Sequence, residues 1–174
     1  VEITGTSTVR DWSAQSKEVH GSVELVDEHE IGSHPADKGF PLLAAKDVHL
    51  VFSIPVKSLK SEFRVFDEEM YKIMDCAEPS VITFRLFSAA PIAPPESYDR
   101  AFKVKGVLQI HCVKRSIDLV VLVKRPSAGH LLIETETKVK LTDYKITPPA
   151  LIYGLLAAGD EVKIRLSWVL ASSQ

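Results

Sequence analysis

The feature that most constrains this chain is an alternation of apolar and polar side chains, held at a period of two across two long segments. Over 131–141, Leu131, Ile133, Thr135, Thr137, Val139 and Leu141 share one parity. His130, Glu134, Glu136, Lys138 and Lys140 share the other, with Leu132 the exception. Over 162–170, Val162, Ile164, Leu166, Trp168 and Leu170 alternate with Glu161, Lys163, Arg165 and Ser167. Only a strand satisfies that period over such a length. One apolar and one wet face place each strand in an antiparallel sheet with a single buried side.

The same period recurs upstream. It is mixed over 4–10 and clear over 17–27, where Val19, Gly21, Val23 and Leu25 share a side and Gly21 predicts a bend or bulge. It returns over 47–56, with Phe52 and Ile54 on the apolar side and Pro55 near a strand end, and over 81–88, with Ile82, Phe84 and Leu86. Residues 101–113 carry Phe102, Val104, Gly106, Leu108 and Ile110 on one parity. Lys114-Arg115 reads as a tight turn, and 116–124 follow with Ile117, Leu119, Val121 and Val123. Val120 and Leu122, on the opposite parity, predict cover on both sides, as a subunit contact provides. Residues 28–47 and 89–99, rich in Pro and Gly between them, read as loops.

Only one segment has helical spacing. Phe66, Met70, Ile73 and Met74 lie at i, i+4, i+7 and i+8, predicting a short helix over 65–77 that ends before Pro79 and plugs one end of the sheet. Asp67, Glu68 and Glu69 stand early in it, where the helix dipole favours acids. The expected fold is therefore all-β: about eight antiparallel strands and one helix, in a single domain over 1–174, closed into a barrel because closure removes exposed edges. A sandwich is the second choice, since its strands recur at shorter spacing.

A formal charge of -2 over 174 residues does not favour nucleic acid as a partner. No apolar run has the length of a transmembrane span. The chain opens at Val1 with no basic-then-apolar leader, read as a leader removed or a trimmed N-terminus. Cys76 and Cys112 allow one bridge. Cys112 continues the apolar parity of Leu108 and Ile110, and the favoured reading is two buried free thiols.

Catalytic signatures are missing: no GxSxG, HExxH, phosphate loop or CxxC is present. His111, Ser116 and Asp118 form a triad by type only, on a wet hairpin face without an oxyanion hole. His29, Glu30, His34 and Asp37 are metal ligands by type, with nothing to fix a geometry. The inward parity is more telling. Phe52, Ile54, Phe84, Leu86, Leu108, Ile110, Leu119, Val121, Ile133, Ile164, Leu166 and Trp168 are all apolar. Either these side chains fill a barrel or they line a cavity for a lipid-like ligand. The length of the strands favours the cavity.

Taken together, the segments resemble the YceI-like family, the polyisoprenoid-binding, lipocalin-like proteins. The resemblance runs through Thr6–Ser13 with Trp12, Val19–Val23, Phe52–Ser61, Met70, Pro79–Phe84, Gly106–His111 with Val113–Arg115, and Thr142-Asp143-Tyr144 followed by Ile146, Pro148-Pro149 and Asp160–Val162. Cys112 and Lys145 stand where the family usually has glycine. The resemblance implies an extended eight-stranded barrel with an apolar tunnel that holds a long isoprenoid or other fatty lipid, an isoprenoid quinone included. It implies no cofactor otherwise, no catalysis, a periplasmic or secreted setting and often a homodimer. Trp12, Asp143 and Tyr144 are the candidates for the mouth, with Met70 on the covering helix. The competing readings are an enzyme acting on a hydrophobic substrate and an interaction module with a solid core.

Overall fold

The computed structural model describes residues 1–25, 48–127, 130–151 and 156–171. Its elements in chain order are β1 (Glu2–Ser7), β2 (Trp12–Gln15), β3 (His20–Leu25), β4 (Val48–Pro55), β5 (Lys60–Ser61), α1 (Arg64–Met74), β6 (Val81–Ile92), β7 (Arg100–Ile110), β8 (Val113–Ser127), β9 (His130–Lys140), β10 (Ala150–Leu151) and β11 (Leu156–Ala171). Two 3-10 turns lie at Val56–Ser58 and Thr142–Tyr144. The eight predicted strands correspond to β1, β3, β4, β6, β7, β8, β9 and β11. The short β2, β5 and β10 add to that number.

The strands form one curled antiparallel sheet in the order β3-β4-β6-β7-β8-β9-β11-β1-β2-β5, with β10 paired to β11. The two ends of this path are not independent edges. β3 continues the chain from β2, and β5 continues it from β4. β3 pairs with β4 and β2 pairs with β5, so these two kinked segments lie along each other and the sheet returns on itself. The ladder is interrupted between the two pairings. There Ser16 and Ser58 hydrogen-bond through their hydroxyls at 2.6 Å, the Ser58 hydroxyl also donates to the Pro55 carbonyl at 2.6 Å, and the Glu18 N–H donates to the Ser16 hydroxyl at 3.0 Å. Side chains thus replace ladder bonds where backbone groups would otherwise lack partners.

The inward parity makes the core. Ile54, Phe84, Leu86, Leu108, Ile110, Leu119, Ile133 and Leu166 are buried. Phe52, Val121 and Ile164 are half-buried and pack against that core. Trp168, also half-buried, reaches across from β11 to β3 and ends over Gly21, where a β-carbon would come within 2.8 Å of its ring. Gly21 is therefore a seat for an aromatic ring and not the predicted bulge. The β3–β4 register runs through it unbroken.

Four further expectations change. The β7–β8 turn is His111-Cys112 and not Lys114-Arg115, because Ile110 pairs directly with Val113. Both turn residues have positive φ, 47° and 60°, as a two-residue hairpin turn that follows the strand twist demands. The predicted loop at 89–99 begins later, since β6 continues to Ile92 and pairs Pro91 with Phe102. Beyond Arg85 that strand has no described neighbour on its β4 side, so proline removes no ladder bond there. α1 ends at Met74, three residues before the predicted end, and the chain turns through Asp75 toward a disulfide. That disulfide joins Cys76 to Cys112, overturning the reading of two free buried thiols: both cysteines are exposed and bonded to each other. Cys112 leaves the apolar parity because it belongs to the turn.

Candidate functional site: an apolar cavity under the helix

The helix covers one end of the curled sheet, as its spacing predicts. Phe66, Met70, Ile73 and Met74 all face a cavity of about 370 Å³. Asp67 anchors this cover. Its carboxylate is buried and accepts both the backbone N–H and the hydroxyl of Ser61, each at 2.7 Å. A residue read as a dipole partner is thus the tether between α1 and β5. The Cys76–Cys112 bridge holds the other end of α1 to the β7–β8 turn.

The strands supply the wall. Ile3 of β1, Ala14 of β2, Ile82 of β6, Ile110 of β7 and Val162 and Ile164 of β11 line the cavity. Each stands on the inward parity of its strand. A third side comes from the segment after β9, through Leu141, Ile146 and Pro149. Asp160 secures that segment: Thr142 donates its N–H and its hydroxyl to the Asp160 carboxylate at 2.9 and 2.8 Å. These two bonds hold the Asp160 carboxyl below the usual carboxylate range.

The mouth lies between the β1–β2 turn and the start of α1, at Ser7, Val9, Arg10 and Phe63. Val9 and Phe63 are exposed there. Arg10 stacks its guanidinium 4.7 Å from the Phe63 ring centre and pairs with Glu62 at 3.0 Å. Trp12 stands beside this mouth, its ring flat against Gly5 and its indole N–H donated to the Thr6 carbonyl at 3.2 Å. A second hollow of about 430 Å³ adjoins it and adds the polar residues Thr4, Asp11, Ser13 and Glu62. The two hollows share Arg10, Trp12, Ser61, Phe63 and Phe66.

Of the residues proposed from sequence to meet a ligand, Trp12, Met70, Ile110 and Ile164 line this cavity. Phe52, Ile54, Phe84, Leu86, Leu108, Leu119, Val121, Ile133, Leu166 and Trp168 sit deeper in the curled sheet. Tyr144 is buried in the core and not at the mouth, and burial pushes its hydroxyl up to about 12. Asp143 instead offers its carbonyl to Arg115 at 2.9 Å. The mouth residues Val9, Arg10 and Phe63 escaped the sequence reading because they lie in turns, where periodicity carries no signal. His111, Ser116 and Asp118 are not assembled. His111 lies in the turn, Ser116 pairs with Val107 and Asp118 with Lys105. The proposed metal ligands at 29–37 lie outside the described residues. Among the described residues there is no cluster with metal-ligand character, and no helix is long and apolar enough to cross a membrane.

This architecture recurs in solved structures. BcnA of Burkholderia cenocepacia superposes with a TM-score of 0.68 at 15% identity, over 98% of this chain and 96% of its own. A polyisoprenoid-binding domain from Saccharophagus degradans gives a TM-score of 0.67 at 14% identity, over 99% and 92%. The YceI protein of Campylobacter jejuni gives a TM-score of 0.65 at 14% identity, over 92% and 85%. No curated protein matches the chain. At such identities the likeness is one of fold, and the sequence assignment comes from the family model for the YceI-like domain, which matches residues 2–170. This chain belongs to the YceI-like family.

Proposed function

We propose that this protein binds an isoprenoid or other lipid-like molecule without transforming it, for carriage, storage or sequestration. The observation that carries the proposal is the cavity itself: about 370 Å³, walled by aliphatic side chains from the strands and roofed by the apolar face of α1. Its size lies in the range of small-molecule sites. Burying each methylene contributes roughly 0.8 kcal/mol before ordering costs. The charged residues of the lining, Arg10 and Glu69, sit at its rim and already have partners in Glu62 and Lys72. That arrangement suits binding better than acid–base chemistry on a buried substrate. The second hollow, which shares Arg10 with the cavity, is the place for a head group. Because Glu62 neutralises Arg10, an uncharged head such as an alcohol or a quinone fits it best.

The surface-exposed Cys76–Cys112 bridge supports a periplasmic or secreted setting, where disulfides persist. A homodimer belongs to the same proposal. Mass spectrometry of organic extracts from natively purified protein tests the binding, with delipidated protein offered isoprenoid quinones and alcohols in parallel. A co-purifying lipid, or saturable uptake, is the expected result. Repeated absence of both removes the proposal.

A further inference from the structure

The cavity ends abruptly within the barrel. Ile82, Ile110 and Ile164 line it, yet the next inward residues on the same strands, Phe84, Leu108 and Leu166, do not. Those three are buried, together with Ile54 beside them. Phe84 is the largest of the group and its position is over-determined. It stacks on Phe52 with ring centres 5.3 Å apart. On its other side it lies against the backbone of Gly106, where any β-carbon would overlap its ring. A ring held between a second ring and a bare stretch of backbone has no free space to rotate into.

We infer that Phe84, clamped between Phe52 and Gly106 one layer beneath the residues that line the cavity, is the floor that stops an apolar chain and so sets the length the protein accepts. The inference rests on the binding reading above and adds a limit to it. A cavity of 150 Å³ holds benzene, so about 370 Å³ holds roughly fifteen carbons of a chain whose remainder stays outside the mouth. The preferred ligand is then a short-chain amphiphile, and not one whose tail threads the whole barrel.

The test measures affinity for a homologous series of linear primary alcohols and a parallel series of isoprenoid alcohols, by displacement of a fluorescent apolar probe. With the wild-type protein, each added methylene is expected to tighten binding up to roughly fourfold, and the gain to cease near fifteen carbons. Phe84→Leu, the milder change, and Phe84→Ala shift that limit to longer chains, while Ile164→Phe, which fills the cavity above the floor, shifts it to shorter ones. Circular dichroism and thermal melts confirm that each variant is folded. Phe84→Leu is included because Phe84→Ala removes a large buried ring. Wild-type affinity that keeps climbing well beyond the limit overturns the inference, as does a limit that folded Phe84 variants leave unmoved. If no member of either series binds, the binding reading itself fails.

Discussion

At the residue scale, two non-glycine residues in turns, Lys145 and Cys112, both adopt left-handed backbone. Lys145 closes the 3-10 turn Thr142–Tyr144 at φ 59°, and Cys112 occupies the β7–β8 turn at φ 60°. A residue with a β-carbon pays for that conformation, so Lys145→Gly is expected to stabilise the protein by about 1 kcal/mol in urea unfolding. An unchanged midpoint would show that Lys145 side-chain contacts offset the strain. Tyr144, one residue earlier, governs a pH effect. Burial raises its hydroxyl from 10.0 to about 12 in the folded state. Above pH 10 the unfolded chain ionises this group while the folded chain keeps its proton. The unfolded state then binds fewer protons, so stability is whole below pH 10 and falls as pH rises toward 12. Melting temperatures over that window should decline more steeply for the wild type than for Tyr144→Phe.

At the element scale, α1 is a cover held at both ends by polar or covalent ties, with apolar packing between them. Asp67 holds it to Ser61, and the Cys76–Cys112 bridge closes a loop with a sequence separation of 36. Removing the bridge by Cys76→Ser with Cys112→Ser should cost about 2–4 kcal/mol in unfolding free energy. A reductant should bring the wild type to the same value. Replacing Cys112 by Gly in the Cys76→Ser background should cost less than the double serine variant, because glycine accepts the positive φ of the turn. Equal losses would mean that the turn carries no strain. The helix itself was legible in the spacing of Phe66, Met70, Ile73 and Met74. Its anchor was not, because the Asp67–Ser61 contact depends on how the chain folds back after β5. The bridge was also hidden: the parity of Cys112 continues that of Leu108 and Ile110, and only the pairing of Ile110 with Val113 moves it out of the strand and into a turn.

At the scale of the whole molecule, the barrel has one seam. β7 is joined to β6 and to β8, and β9 to β11, along nearly their whole lengths, whereas the β2–β3 and β4–β5 segments meet in two separate pairings with side-chain bonds between them. Local opening is therefore expected there first. Within the described barrel, hydrogen exchange should be faster at Lys17, Val19, Lys57 and Ser58 than in the β7–β8 ladder. Ser58→Ala should widen that difference and cost about 1 kcal/mol, since it removes the hydroxyl that bridges the seam. Uniform protection around the barrel would contradict this.

By itself the sequence determined the eight main strands, the inward apolar set, the helix and the family. Period and order are local properties that survive without coordinates, and the twelve apolar residues from Phe52 to Trp168 named as the inward set are all buried or half-buried. Tertiary structure alone decided where the interior is hollow. Ile164, Leu166 and Trp168 are indistinguishable by parity, yet the first lines the cavity, the second lies beneath it and the third crosses the barrel to rest over Gly21. Whether an apolar side chain faces space or another side chain depends on what the opposite strands bring to the same level, and alternation along one strand carries no record of that.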